Sequence, residues 1–346
     1  MRSAGSPLDA ALTRSAASST PVMLSWLNCI DLLHHGGYVG IIMTAIVPVL
    51  LTLIGGAVLK RTLLRSGAFW SGLEQLTYYV LGPALFITSI GNADLGTIDV
   101  GPLLLTTTAP IIAATGVLVA ARPTLRSSGP ALGSMVQGAI RINTYIGLVV
   151  INALHGELGI ATFAIACAIS VPVVNLLCVS TLTIYGAHDE ARPRPKLLRE
   201  IAKNPLILSC LVGLALSITN FELPTAITST LDLAASSALL CGTLIAGASI
   251  SFTWRKRDLI EVTVPTLIKL AALPLAAASL AIALGADQLT LHTIVVLTAV
   301  PTAPSATILS AKLGGDTRLM ATIIGVQTLL STLSMPLMLD VASRLA

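Results

Sequence analysis

Gln137–Glu157 reads QGAIRINTYIGLVVINALHGE. The stretch is apolar enough to span a membrane, yet it holds one full charge, Arg141, and two amides, Asn143 and Asn152. Hydrocarbon offers no hydrogen-bond partners, so polar groups and opened backbone at that depth must face protein or a water-filled cavity. The rest of the chain has to supply that cavity.

Composition shows that lipid is the solvent for most of it. Of 346 residues, 54% are hydrophobic and 10% charged, against roughly 25% charged in soluble domains. Mean hydropathy is +0.88. Aromatic residues make up only 4%, which suits helices packed through small side chains and not an outer-membrane barrel with aromatic girdles. The five cysteines form no CxxC pair, and most lie in apolar runs where a cysteine acts as a small hydrophobe. No metal site, cofactor or nucleic-acid surface is implied.

A spanning helix needs about 20 mostly apolar residues. Ten such runs occur: 38–59, 69–90, 101–121, 130–154, 158–185, 198–219, 225–252, 258–284, 288–311 and 317–343. Loops after the odd-numbered runs hold Lys60, Arg61, Arg65, Arg122, Arg126, Arg192, Arg194, Lys196, Arg199, Lys203, Arg255, Lys256, Arg257, Lys312 and Arg318. Loops after the even-numbered runs carry no base but hold Asp94, Asp99, Glu157, Glu222 and Asp287. Positive charge stays on the cytoplasmic side during insertion. The segregation therefore predicts a multi-pass protein of the cytoplasmic membrane with both termini on the non-cytoplasmic side. Residues 1–37 are Ala/Ser-rich and read as a poorly ordered extension, without the pattern of a signal peptide.

The charge-rich loop 186–197 divides the chain into a first five-helix unit, 38–185, and a second, 198–346. Pro48 early in run one has a counterpart in Pro205 of run six, and RINTYIGLVVINALHGE late in the first half resembles PTAPSATILSAKLGGD late in the second. Five helices per unit is an odd number, so two like units insert with opposite topology, as inverted repeats.

Pro301 and Pro304 lie close together, and each removes an N–H and obstructs the preceding turn, so run nine should break near Ala303–Ser305. In run four, Asn143 and Thr144 offer donors and acceptors for opened backbone. If the halves mirror each other, the breaks meet near mid-membrane, where half-helix N-termini present positive dipole ends to a common point. The candidate substrate-binding residues are therefore Arg141, Asn143, Thr144, Thr302, Pro304 and Ser305. Blander readings stand beside this one. Arg141 suits a structural ion pair, for instance with Glu74, as well as an anion, and Asn143–Thr144 suits an interhelical clamp. Lys269 reads as a lysine reaching to the interface, Pro172 and Asn175 suit a kink and a lining of the site equally, and His155 and His292 read as loop histidines, with a proton relay as the alternative.

At these residues the sequence resembles the auxin efflux carrier family. The motifs that carry the likeness are YYVLGPALFITSIGNADL, QGAIRINTYIG with NALHGE, KNPLILSCLVGLALSI, LDLAASSALLCGTLIAGASI and PTAPSATILSAKLGGD, which span most of 40–340. The resemblance implies two inverted five-helix repeats, a crossover of helices four and nine at a central site, homodimers, and small organic acids as substrates, auxin-like acids included. Asn143 falls on the family's helix-four asparagine and Pro304 on its helix-nine crossover proline. The family's proline after the Asn-Thr pair is replaced by Val149 or Val150, which implies a softer break in helix four; Ser305 stands where relatives often have asparagine.

The expected function is secondary transport of an organic anion by alternating access. A channel or a transporter-like sensor would share the fold. The sequence contains no GxxxxGK[ST], GxSxG or HExxH and no paired intramembrane aspartates, so neither an ATP-driven pump nor an enzyme is expected.

Overall fold

The computed structural model describes residues 37–92, 100–187, 205–219, 221, 223–250 and 258–346. The N-terminal extension and most of the charged loop after the fifth run, with its cluster of bases, lie outside these residues. Contacts divide the chain after Thr44, inside its first helix, and Ala45–Ala346 form one compact unit.

The described residues are helical, without strands. Helix α1 is Gly37–Arg61. The second run forms α2 (Gly67–Leu76), a π-helical turn at Thr77–Leu81, and α3 (Gly82–Gly91). Then come α4 (Val100–Leu125) and α5 (Gly129–Ile140), followed by α6 (Thr144–Tyr185). After the loop come α7 (Pro205–Thr219) and α8 (Thr225–Ala248). The eighth run is α9 (Leu259–Leu267), a second π turn at Ile268–Ala272, and α10 (Leu273–Ala283). The chain closes with α11 (Gln288–Ala299), α12 (Ser305–Leu313) and α13 (Thr317–Leu345).

Among the described residues five helical stretches are long and apolar enough to cross a bilayer: Gly101–Leu125, Gly129–Tyr185, Thr225–Ala248, Leu259–Ala283 and Thr317–Leu345. Side chains such as Leu51 and Ile54 on α1, Ile112 and Val117 on α4, and Leu211 and Ile218 on α7 are exposed. Large apolar surfaces of this extent need a nonaqueous neighbour, and the chain is a multi-pass membrane protein.

Two expected runs, 130–154 and 158–185, are joined differently from the sequence reading. The 42 residues of α6 would make a straight rod of about 63 Å, twice the hydrocarbon thickness of about 30 Å. The rod is interrupted at Gly156, where φ is 59° and ψ −146°. That conformation needs the missing Cβ of glycine, so the loop expected here shrinks to a single residue.

The helices pack as two groups. In one, α1 approaches α8 so closely that a Cβ on Gly56 would lie 2.1 Å from the Leu244 carbonyl oxygen, and one on Gly247 2.0 Å from that of Leu53; α3 packs on α7 and α8. In the other, Ala131, Val262, Ala306, Leu319 and Ile323 form a core between α5, α9, α12 and α13, with α4, α6, α10 and α11 around it. Contact between the groups runs mainly through α6. On the second group Arg318, at the start of α13, grips the buried Asp258 at the start of α9 with both guanidinium nitrogens, at 2.5 and 3.1 Å.

Candidate functional site

The residues Arg141, Ile142 and Asn143 between α5 and α6 are not helical, and neither are Val300 to Pro304 between α11 and α12. Proline accounts for the second gap, as expected, although it opens at Val300, ahead of Ala303–Ser305. The first gap has no proline and is nonetheless fully open, so the softening implied by Val149 and Val150 does not occur. Its cause is capping. Asn143 turns out of the helix at φ −84°, ψ 89° and its Oδ1 accepts the Ile146 N–H at 3.3 Å, the ordinary N-cap arrangement.

The two gaps touch. The Asn143 N–H donates to the Pro301 carbonyl at 3.0 Å. Thr302 Oγ1 donates to the Gly138 carbonyl at 3.0 Å, and its N–H donates to Gln327 Oε1 at 3.0 Å. Gln327 Nε2 in turn donates to Gly138 O at 2.7 Å. Gln137 Nε2 reaches Ser310 Oγ at 2.8 Å. The half-helices entering the gaps are wrapped in protein: Ala131–Ile140 and Thr290–Ala299 are buried throughout. That is the setting in which opened backbone survives at membrane depth.

The bonding is lopsided in a chemically informative way. A helix C-terminus leaves carbonyls without partners and carries partial negative charge; an N-terminus leaves N–H groups and partial positive charge. Here the carbonyls of Gly138 and Pro301 are occupied by Thr302, Gln327 and Asn143. On the N-terminal side, Asn143 Nδ2 is buried with no hydrogen-bond partner, and the Thr144 and Tyr145 N–H groups have no intrahelical acceptor. Arg141 hydrogen-bonds only neutral groups, Ser305 Oγ at 3.4 Å and Gln137 Oε1 at 3.5 Å. None of the ion pairs among the described residues includes it, so the pairing with Glu74 is not formed. Beside Asn143 the crossing therefore offers an unpartnered amide donor and a cation without an ion pair, an arrangement suited to an anion.

All six sequence-derived candidates lie at this crossing. The sequence did not single out Gln137, Gln327, Tyr145 or the true setting of Lys269. The Tyr145 ring leaves the first turn of α6 and lodges where a Cβ on Gly242 of α8 would lie 2.2 Å from its Cγ; a Cβ on Gly82 of α3 would lie 3.2 Å from its hydroxyl. The lysine expected to reach the interface is instead fully buried in the second π turn, because the elements around it close over that turn. His155 and His292 are not loop residues. They bond ring to ring at 2.7 Å, and His292 also contacts Ser343 Oγ at 3.2 Å, tying together α6, α11 and α13. Pro172 lies inside α6, where the backbone dihedrals stay helical.

A cavity of about 760 Å³ opens between α3, α6 and α8, lined among others by Ser89, Asn92, Asn152, Glu157, Asp232 and Ser236. None of the six candidates lines it. Asn152 stands nine residues beyond Asn143, about 13 Å along the helix, and the cavity lies in the seam between the two helix groups.

A family model described as membrane transport protein matches residues 41–339. A transporter of Methanothermobacter thermautotrophicus, itself described as uncharacterized, is 24% identical over 296 residues, covering 84% of this chain and 95% of that relative.

Proposed function

Because this chain belongs to the membrane transport protein family, we propose that it is a secondary carrier moving a small organic anion, a mono- or dicarboxylate, across the cytoplasmic membrane by alternating access. The observation carrying this reading is the pair of unanswered groups at the crossing: Asn143 Nδ2 has no partner and Arg141 makes no ion pair with a described carboxylate. A carboxylate has two acceptor oxygens and a full negative charge, and it fits an arginine fork beside helix N-termini. Thr144, Thr302, Pro304 and Ser305 shape the same opening, with the prolines keeping the backbone unwound.

Ten spans arranged as two inverted five-helix repeats belong to the same reading. In its favour, the gap opening at Val300 follows the gap opening at Arg141 by 159 residues (300 − 141), close to half the chain, and each gap separates two half-helices. Both termini then face outward. The group containing the crossing is the moving part, the group of α1, α3, α7 and α8 is the support, and the cavity in the seam is the outer access route. A homodimer in the bilayer is the expected working form, following the resemblance.

The test is counter-flow in proteoliposomes against acetate, lactate, succinate and indole-3-acetate. At least one should give saturable exchange. Removing a charge-assisted hydrogen bond costs about 1.5–3 kcal/mol, so N143A should weaken half-saturation roughly 10- to 100-fold. Unaltered affinity in N143A, with normal membrane insertion, would exclude this amide from the site. Absence of exchange with every organic acid would exclude the reading itself.

A further inference from the structure

Lys269 is the one lysine whose side chain is fully buried among the described residues, at 0% exposure, and its Nζ has no hydrogen-bond partner. It stands ten residues into the 25-residue span Leu259–Ala283, about 15 Å from the end of the helix, so its stem cannot carry the charge to either interface. An unpaired ammonium in such a place is among the costliest groups a membrane protein can hold.

Its position is tied to the crossing through α5. Pro265, four residues earlier and on the same helix face, lies where a Cβ on Gly138 would be 3.4 Å from its own Cβ, and Gly138 lies in the last turn of the half-helix that enters the first gap. The π turn that carries Lys269 packs against α5 as well. The π turn at Ile268–Ala272 adds a residue to the helical circuit and re-aims the side chain that follows, a device that recurs at functional sites. Lys269 therefore sits behind the gap that holds Asn143 and Thr144.

The charged and titratable surroundings are sparse. The packed half-helix α5 has none. On α11 there is His292, bonded to His155 and Ser343. On α13 there are Arg318, Asp340 and Arg344, engaged with Asp258, Asp316 and each other near the helix ends. On α9 there is Glu261, two turns away, and on α6 the neutral thiol of Cys167. No described carboxylate forms an ion pair with Lys269.

Building on the carrier reading above, we propose that Lys269 is the proton-coupling group: a neutral amine in the empty site, it takes up one proton when a carboxylate binds and returns it to water when the carboxylate leaves. No other bond forms or breaks. The incoming anion supplies the counter-charge that makes the ammonium tolerable, and the ammonium strengthens the hold on the anion, so proton and carboxylate cross together. Arg141, always charged, attracts the anion in every state; Lys269 makes its passage conditional on a proton.

Two measurements separate this proposal from the carrier reading. First, full-length protein in nanodiscs carries lysine labelled at Cε and Nζ, with K269Q assigning the resonance. In carboxylate-free buffer near neutral pH the Lys269 nitrogen should show the amine shift. An ammonium shift there overturns the proposal, whatever is transported. Second, proteoliposomes containing an internal pH dye receive succinate, or whichever of the four acids gives counter-flow. Wild type should acidify by one proton per carboxylate entering. In K269R and K269Q proton entry per carboxylate moved should fall roughly tenfold, and in K269R, with its permanent charge, the remaining flux becomes more sensitive to membrane potential. Proton entry unchanged in both K269R and K269Q overturns the proposal even if transport is intact. Failure of counter-flow with every acid counts against the carrier reading, and the nanodisc shift still decides the state of Lys269.

Discussion

Asn143 has one amide oxygen and one amide nitrogen, and the fold uses only the oxygen. Oδ1 caps α6 through Ile146 while Nδ2 is buried without a partner, which lets capping and recognition be separated by near-isosteric change. In N143D the oxygen still caps, and a carboxylate at a helix N-terminus is stabilising by about 0.3–1 kcal/mol. Thermal stability should hold or rise while anion exchange is lost through charge repulsion; exchange retained in N143D would show that the amide nitrogen does not face the substrate. Gln327 has the opposite character. Both ends of its amide are bound, to Thr302 N–H and Gly138 O; Gly138 O keeps Thr302 Oγ1 in Q327L, but the buried Thr302 N–H is left unpaired, which should lower unfolding stability by about 1–3 kcal/mol, read as a shifted thermal midpoint in detergent. Asn143 was visible in the sequence because an amide in an apolar run has few innocuous explanations. Gln137 and Gln327 were not, since nothing local marks which carbonyl a glutamine will meet.

Helix interruptions in this protein have three different chemical causes. Between α11 and α12 the cause is proline, written in the sequence; between α5 and α6 it is an asparagine cap; at Gly156 it is left-handed backbone. G156A therefore tests the turn without touching the crossing: φ of 59° combined with ψ of −146° is essentially a glycine-only conformation and should cost about 1–3 kcal/mol with any side chain. A thermal midpoint unmoved by G156A would mean that α6 runs differently there. At the other face of the same group, D258N weakens the two-nitrogen grip of Arg318 on a carboxylate that is 1% exposed. Since Arg318 keeps partial access to water, the expected loss is nearer 1–3 kcal/mol than the value for a fully buried pair. Both π turns escaped the sequence reading. A π turn changes helical register by one residue and leaves hydrophobic periodicity almost unaltered, so apolar counting cannot detect it.

Across the whole molecule, the seam between the two helix groups is where movement would be felt, and Tyr145 is wedged into it against Gly242 of α8. A methyl group at that position would lie 2.2 Å from the ring, closer than atoms can approach, so G242A must displace Tyr145. Counter-flow should fall about tenfold, and G242A/Y145A should recover more of it than G242A alone if the clash is the cause. Should the double variant be no better, the defect lies in α8 itself. The cavity gives a second molecular test: cysteine placed at Ser236, with Cys241 changed to serine, should react with impermeant reagents from the outer side and be protected by a transported carboxylate. Labelling from the cytoplasmic side alone would reverse the proposed topology.

The sequence by itself determined the solvent, the helical class, the family and the places where two apolar runs must open, because each follows from local composition: few charges, long apolar stretches, and proline or amide where neither suits lipid. Only the tertiary structure decided which polar groups are left without partners. The donors of Asn143 and Lys269 and the bound carbonyls of Gly138 and Pro301 differ not in residue type but in what residues far along the chain bring within about 3 Å of them, and a linear string does not contain that distance.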